Sequence, residues 1–520
     1  MRIIGIVVIT FLITVHCLAQ PSLLTEIDSI VEKAMKRFDV PGIGLAIVRD
    51  GKVLTAKGYG VRELGKPAKV DEHTLFGIAS NTKAFTATAL GMLVEDGKVS
   101  WDARVIDYLP GFQLSDPYVS REMRVRDLLV HRSGLGLGAG DLLWWPSGTY
   151  DRKEIVRRLR YIPLATSFRS AYAYDNVLYL AAGEVIEAVS GRPWEEFVHT
   201  RILKRIGMFE STVTCSFPRT GNVAITHAKV DGILRTVEPD TSSTTNPAGG
   251  IHASAHDMAL WMITQLDSGK LSDGSRLFSA RTTRQLWSLV TPINPGNPPA
   301  SLAPSRPDFS GYGLGFFVRD YRGMKVVTHD GGLPGYVSRV FLLPGEKVGI
   351  ALLTNQESTP ALGAIVYALA DLFLDVPPFD WLGGYSRLSE QRDSVVQASE
   401  QSMMSLRDSL SHPSLPLAKY AGTYRDPWYG DVSVTANEGR LSLRFSHTPT
   451  LSGPLVHYQY DTFIARWTDR ELRADAFVTF DLNPDGSINQ VRMKAVSRAT
   501  DFSFDFQDLE LKPAASRSDR

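Results

Sequence analysis

The sequence predicts an α+β fold in which helices pack on an antiparallel sheet, followed by a small β-barrel or sandwich. Three observations carry this. Helical and strand-like segments come in large blocks, not in strict alternation. Four runs, Gly313–Val318, Lys325–Thr328, Ser338–Leu343 and Val348–Leu353, read as neighbouring strands, with Pro344-Gly345 turning one hairpin. From Tyr420 onward apolar residues fall at every second position, as in Val432/Val434, Leu441/Leu443/Phe445 and Val491/Met493, with turns at Glu438-Gly439 and Asp485-Gly486.

The first element is a leader. Met1-Arg2 supplies a positive charge, and Ile3 to Val15 is an apolar run of about a dozen residues, short for a bilayer and typical of a signal-peptide core. Cys17-Leu18-Ala19 offers a small-residue cleavage site, so residues 1–19 read as a signal peptide and the mature protein as exported, periplasmic or secreted. A lipoprotein cysteine at Cys17 is the weaker alternative, because His16 stands where a small residue is expected; a retained anchor is another. No later stretch is long and apolar enough to cross a membrane, so no stable span is expected after cleavage. Cys215 would then be the only cysteine, which excludes an intrachain disulfide. It reads as a half-buried strand residue, not a nucleophile.

Thr25 to Phe38 has apolar residues at helical spacing and stops at Pro41-Gly42. Gly44–Val48 and Val53–Gly58 flank Asp50-Gly51, a two-residue hairpin turn. Ser80 to Glu95 reads as a helix apolar on most sides, and therefore buried. Further helices are expected near Val125–Val130, Val177–Val189, Trp194–Ile206, His256–Leu266 and Ala361–Leu374. Pro292 to Pro307, rich in Pro, Ser and Asn, reads as a surface loop or flap. A boundary falls near Asp375–Pro378, giving a first domain over 20–378. Residues 379–416 form a partly helical linker with a stiff His412-Pro413-Ser414-Leu415-Pro416 connector, 417–512 the barrel and 513–520 a frayed tail. The 520 residues carry 56 basic and 56 acidic side chains, a balance that does not favour nucleic acid as a partner.

The chemistry centres on Phe76-Gly77-Ile78-Ala79-Ser80-Asn81-Thr82-Lys83, which holds the one Ser-x-x-Lys of the chain. A serine hydroxyl needs a base to become a nucleophile. At i and i+3 on a helix, Ser80 and Lys83 share a face. Burial lowers a lysine's affinity for its proton and makes it a base, while the helix N-terminus offers N–H groups to an oxyanion. Tyr174-Asp175-Asn176 adds a phenol that can relay protons and a carboxamide that can orient a substrate amide. Val327-Thr328-His329-Asp330-Gly331-Gly332 ends a strand; its glycines let a substrate backbone lie along the edge, and His329 can hold a carboxylate or tune its neighbours.

Together these resemble the Ser-x-x-Lys, Tyr-x-Asn and Lys/His-x-Gly elements of the serine β-lactamase and D-alanyl-D-alanine peptidase superfamily, in its class C-like branch. Asp127–Leu135, Pro247-Ala248-Gly249-Gly250 and Gly311-Tyr312-Gly313-Leu314-Gly315 look similar too, and the resemblance spans Leu24 to Pro377. It implies an antiparallel sheet flanked by helices with an all-helical subdomain. It also implies Ser80 as nucleophile, Lys83 and Tyr174 as general base and acid, Asn176, His329 and Gly331 as substrate-binding, and the N–H groups of Ser80 and Gly332 as oxyanion hole. No metal or organic cofactor is implied. Class C β-lactamases carry lysine where this chain has His329, so the resemblance leans toward peptidases, D-aminopeptidases and esterases. The region from Leu417, starting Tyr420-Ala421-Gly422-Thr423-Tyr424, resembles a lipocalin-like barrel, in which Trp428, Tyr429, Phe463 and Trp467 read as core more than as ligand lining.

The reading is therefore a serine hydrolase acting through an acyl-enzyme on a small-molecule or peptide substrate, an amide or peptide that contains a D-residue. The alternatives are a β-lactamase or esterase of the same fold, and a penicillin-binding sensor without turnover. An oligomer is compatible with it. Other motifs fail: Gly134-Leu135-Gly136-Leu137-Gly138 follows a helix and is no nucleotide fingerprint, His252 and His256 lack the glutamate of a zinc helix, and Arg157-Arg158-Leu159-Arg160 reads as a solvated helix face. Specificity is expected from the loops Leu137–Thr149 and Pro292–Pro307.

Overall fold

The computed structural model describes residues 23–216 and 220–514. The expected signal peptide and residues 515–520 of the expected tail lie outside them. An eight-stranded antiparallel sheet runs in the order Lys52–Gly60, Gly42–Arg49, Val348–Thr354, Tyr336–Leu343, Met324–Leu333, Phe317–Tyr321, Ser310–Tyr312, Thr291–Pro292. The N-terminal hairpin thus joins strands encoded some three hundred residues later (Ile43 pairs with Thr354). Its turn is tight because Asp50 and Gly51 both take positive φ, 52° and 72°, matching the twist of the flanking strands.

Both sheet faces are covered, which explains the near-continuous apolar strands. On one face Ile43, Leu45, Ile47, Ile350 and Leu352 pack against the helix over residues 23–38 and the Thr359–Phe373 helix. The alternate residues Ala46, Val48, Ala351 and Leu353 point to the other face. There the Ala255–Leu266 helix and the central helix Thr82–Glu95 pack, with Phe85 stacked on Trp261 at 3.7 Å. Every residue of the central helix from Thr82 to Leu93 is buried. A mostly helical region over residues 101–206, including the Val177–Ser190 helix, closes around it.

Several expected elements take a different form. Val125–Leu129 is a 3-10 turn rather than an α-helix, with Asp127 accepting from its own Arg124 N–H at 3.0 Å and from Arg132 and Arg169. The strand expected over Gly313–Val318 is broken, because Gly313–Phe316 turns away from the sheet to clear the central helix. At Gly315, with φ +81°, a Cβ would stand 2.8 Å from the Lys83 carbonyl oxygen. Cys215 lies fully buried in a bend, not half-buried in a strand. Pro292–Pro307 runs along the surface over residues 292–301. Its Ala300–Ser305 turn seats Leu302 in the opposite core, under Gly384 of the Trp381–Ser405 helix.

The C-terminal strands form a nearly closed antiparallel barrel, from Ile488–Ala495 at one edge to Lys512–Pro513 at the other, with Val491 bridging Leu511. Glu438 and Gly439 take positive φ at the predicted turn. Trp428, Tyr429, Phe463 and Trp467 are all fully buried, so they fill the barrel. Arg158 is not on a solvated face: it stacks on Tyr150 and donates to the Trp428 carbonyl at 2.8 Å. Tyr150 in turn donates to the Tyr429 carbonyl at 2.8 Å, so this helix docks the barrel.

Candidate active site

Ser80 lies in the 3-10 turn Ala79–Asn81 that leads into the central helix. Ala79 takes φ +49°, a conformation that costs a non-glycine residue about 1–2 kcal/mol. The turn is held by its surroundings: Ile78 N–H donates to the Ile251 carbonyl at 3.0 Å, Ser338 Oγ donates to the Ile78 carbonyl at 2.7 Å, and Asn81 Nδ2 donates to Ser338 Oγ at 2.8 Å. Ser80 itself stays partly exposed.

One turn on, the fully buried Lys83 Nζ has three partners: Ser80 Oγ at 3.0 Å, Asn176 Oδ1 at 2.7 Å and the Ala248 carbonyl at 3.0 Å. Desolvation lowers its pKa to about 7, against the opposing pull of Asp141 and Asp175. A neutral amine has two N–H donors and one lone pair. Asn176 and Ala248 offer acceptors only, so they take the donors and leave the lone pair facing the Ser80 hydroxyl. Tyr174 presents its ring 4.9 Å from Nζ, and the Ser80 hydroxyl is among the groups that act on its phenol. Burial holds its phenol well above the usual range, so it remains protonated. Asn176 is oriented from behind by Asp141, whose Oδ2 accepts from Nδ2 at 2.9 Å. Burial raises the Asp141 carboxyl to about 7.

The Met324–Leu333 strand forms the facing wall. His329 is 2% exposed, and burial pushes its pKa down to about 3. Its Nδ1 bonds the Asp330 carbonyl at 2.6 Å, which makes Nδ1 the donor and leaves Nε2 to accept from Tyr312 Oη at 2.8 Å. With burial disfavouring its charge and both nitrogens engaged, the ring fits the expected role of tuning its neighbours better than that of holding a substrate carboxylate. Gly331 serves packing. A Cβ there would strike the Ile78 carbonyl and stand 2.5 Å from Ser338 Oγ, on the turn that carries Ser80. Gly332 is open, with nothing within 4 Å of such a Cβ. Leu333 pairs with Tyr336 across a two-residue turn, so Leu333 and Gly331 bond the neighbouring strand and the Gly332 N–H points the other way. On that side the adjacent strand ends at the Thr328–Phe317 pair, leaving the Gly332 N–H on an unpaired edge.

The structure thus brings Ser80, Lys83, Tyr174, Asn176, His329 and Gly331 together around one cleft, with Gly332 on its edge. Sequence reading passed over Asp141, although it lies in the loop singled out for specificity, and over Tyr312 as the partner of His329. It also missed Phe502, Ser503 and Asp505 of the C-terminal region. Phe502 lies 6.1 Å from the Tyr174 ring, and Ser503 Oγ donates to Asp141 Oδ2 at 2.9 Å. The half-buried His256 groups with His73 and Glu210, not with His252, and His73 Nδ1 already pairs with Glu210 at 2.6 Å.

Comparison with known proteins bears on the fold and the family. Residues 27–374 match the family model described as Beta-lactamase, and residues 406–513 match a domain of unknown function, DUF3471. A curated relative, Unguisins hydrolase ungD' of Aspergillus campestris, is 28% identical over 90% of this chain and 88% of its own length. The octameric penicillin-binding protein homologue of Pyrococcus abyssi superposes with a TM-score of 0.59 at 22% identity, over 94% of this chain and 99% of that one. D-amino acid amidase of Ochrobactrum anthropi gives 0.55 at 23% identity, over 68% and 99%.

Proposed function

The chain belongs to the beta-lactamase family, whose characterised relatives include hydrolases, and on that premise we propose that it is a serine hydrolase that opens amide or peptide bonds through an acyl-enzyme on Ser80. One observation carries this reading: a fully buried amine stands 3.0 Å from the Ser80 hydroxyl, with two acceptors, Asn176 Oδ1 and the Ala248 carbonyl, at its other positions. In the first step the Ser80 O–H proton passes to Lys83 Nζ while Oγ bonds the substrate carbonyl carbon. The carbonyl oxygen, now negative, accepts from the N–H groups of Ser80 and Gly332. Collapse expels the amine, which takes a proton relayed through the Tyr174 hydroxyl from Lys83. Water then attacks the acyl-enzyme by the same route and restores Ser80.

Amides are favoured over β-lactams because His329 offers no charge to the carboxylate that such antibiotics carry. The exposed Phe502 (41%), 6.1 Å from the Tyr174 ring, supports an apolar side chain beside the scissile carbonyl. The names of the two hydrolytic relatives, which act on unguisins and on D-amino acid amides, support peptides or amides with a D-residue. Export and assembly into an oligomer belong to the same proposal, the latter supported by the octameric homologue. A panel of D- and L-amino-acid amides, short D-containing peptides, a nitrophenyl ester and a fluorescent penicillin tests it. Turnover of amides, abolished in Ser80→Ala with folding retained, is expected. Ester turnover alone makes it an esterase, and penicillin labelling without any turnover makes it a sensor. Normal rates in Ser80→Ala overturn the mechanism.

A further inference from the structure

The barrel does more than lie beside the catalytic domain. Its last turn, residues 501–506, enters the wall of the cleft. Phe506 is rooted in the barrel core, and Trp428 Nε1 fixes the Asp508 carbonyl at 3.1 Å, so the segment moves only with the barrel. Phe502 packs over Gly138, where a Cβ would meet its ring and carbonyl at 2.8 Å, and Phe504 sits edge-on to Trp145 at 6.3 Å. Ser503, between them, and Asp505, just after, are buried. Ser503 Oγ donates to Asp141 Oδ2 at 2.9 Å. The Asp505 carboxyl, which burial and the nearby Asp141 push well above the usual carboxylate range, accepts from Gly140 N–H at 2.7 Å and Leu142 N–H at 3.0 Å, the amides on either side of Asp141. Asp141 holds Asn176 at 2.9 Å, and Asn176 holds Lys83 at 2.7 Å.

We infer that Ser503 and Asp505 are positioning residues for Lys83: by fixing Asp141 and its loop they fix Asn176 and the amine, so that hydrolysis requires the barrel to be docked. This rests on the Ser80–Lys83 reading above. An unheld Asn176 can rotate its carboxamide and present its NH2 to Lys83, which removes the acceptor and turns the lone pair away from Ser80. Without the barrel the Gly140 and Leu142 N–H groups and Asp141 Oδ2 would lose these partners. Asp141 is faced by Lys83 from the central helix, by Tyr174 ahead of the Val177–Ser190 helix, and by Asp505 from the barrel, while Lys83 is also faced by Asp175, Tyr179, His131 and His329, none of which Ser503 touches. Removing the Ser503 donor destabilises the Asp141 charge, and a less charged Asp141 holds the proton on Lys83 less firmly.

The test uses the full chain and kcat/KM for a nitrophenyl ester from pH 5 to 10, with melting temperatures in parallel. Ser503→Ala is expected to lose about tenfold or more in the plateau rate, the worth of one hydrogen bond to a charged group. Its acid limb is expected to move to lower pH, and Ser503→Thr to restore both. Should Ser503→Ala fold poorly, Ser503→Cys keeps the volume with a weak donor and is expected to show the same loss relative to Ser503→Thr. A rate and limb in Ser503→Ala, or in Ser503→Cys, equal to wild type overturn the inference while leaving the Ser80–Lys83 reading intact. A wild-type protein that neither turns over the ester nor forms an acyl adduct at Ser80 overturns that reading, and this inference with it.

Discussion

Lys83 sets a measurable pH dependence. Its pKa falls from 10.5 to about 7 because the amine is buried. At pH 7 an unshifted amine would be almost wholly protonated, whereas this one is about half neutral, a gain of roughly a thousandfold in base. The shift corresponds to about 5 kcal/mol of differential interaction at a fully buried site. In the proposed mechanism the neutral amine takes the Ser80 proton, so kcat/KM is expected to rise with pH along a unit-slope limb centred near pH 7 and to level above it. Asp141 is raised to the same range, so the limb belongs to the coupled pair. Lys83→Arg, whose guanidinium cannot act as a base, is expected to lose at least about a thousandfold, measured as release of nitrophenol or of amine. A limb centred above pH 9, or an arginine variant within tenfold of wild type, would refute the argument. The shift also bears on stability. Between about pH 7 and 10.5 the unfolded chain binds a proton at this lysine that the folded chain does not, so raising pH across that window relieves the cost of burying it.

Four further outcomes are expected. Gly331→Ala drives a methyl into the Ile78 carbonyl and Ser338 Oγ, and should cost about 1–3 kcal/mol by thermal melting along with most activity, while Gly332→Ala, facing open space, should fold normally. Tyr312→Phe strands the buried Nε2 of His329, at about 1–3 kcal/mol read from denaturant midpoints. Asp141→Asn removes the charge that favours protonated Lys83, so the acid limb of the rate profile should move to lower pH. Phe502→Ala should raise KM for substrates with apolar side chains more than for alanine amides, since the ring borders the cleft beside Tyr174.

Much of this architecture is written locally, and that part was legible. The Asp50-Gly51 and Glu438-Gly439 turns need positive φ, which their residue types announce, and the period-two runs of the barrel appear as its strands. Ser80, Lys83, Tyr174, Asn176 and His329 could be gathered because each lies in a short motif. Gly313–Val318 misled because its break is imposed from outside, by a central helix that passes too close for a straight strand at Gly315. Leu302 looked like part of a surface loop because its partners in the opposite core are distant in sequence. His329 reads alike in sequence whether its ring faces substrate or Tyr312; only packing decides. Ser503 and Asp141 lie 362 residues apart in different domains, with no motif around either, so no local pattern could pair them.

The core behind the catalytic helix, around Phe85 and Trp261, is continuous through Trp144 and Tyr150 with the barrel interior around Tyr429, Phe445 and Trp467. Apolar surface on each side of that seam is hidden only while both sides are folded, so neither half can melt without exposing the other's interior to water. Scanning calorimetry should therefore record a single endotherm whose van't Hoff and calorimetric enthalpies agree, although two separate family models divide the chain.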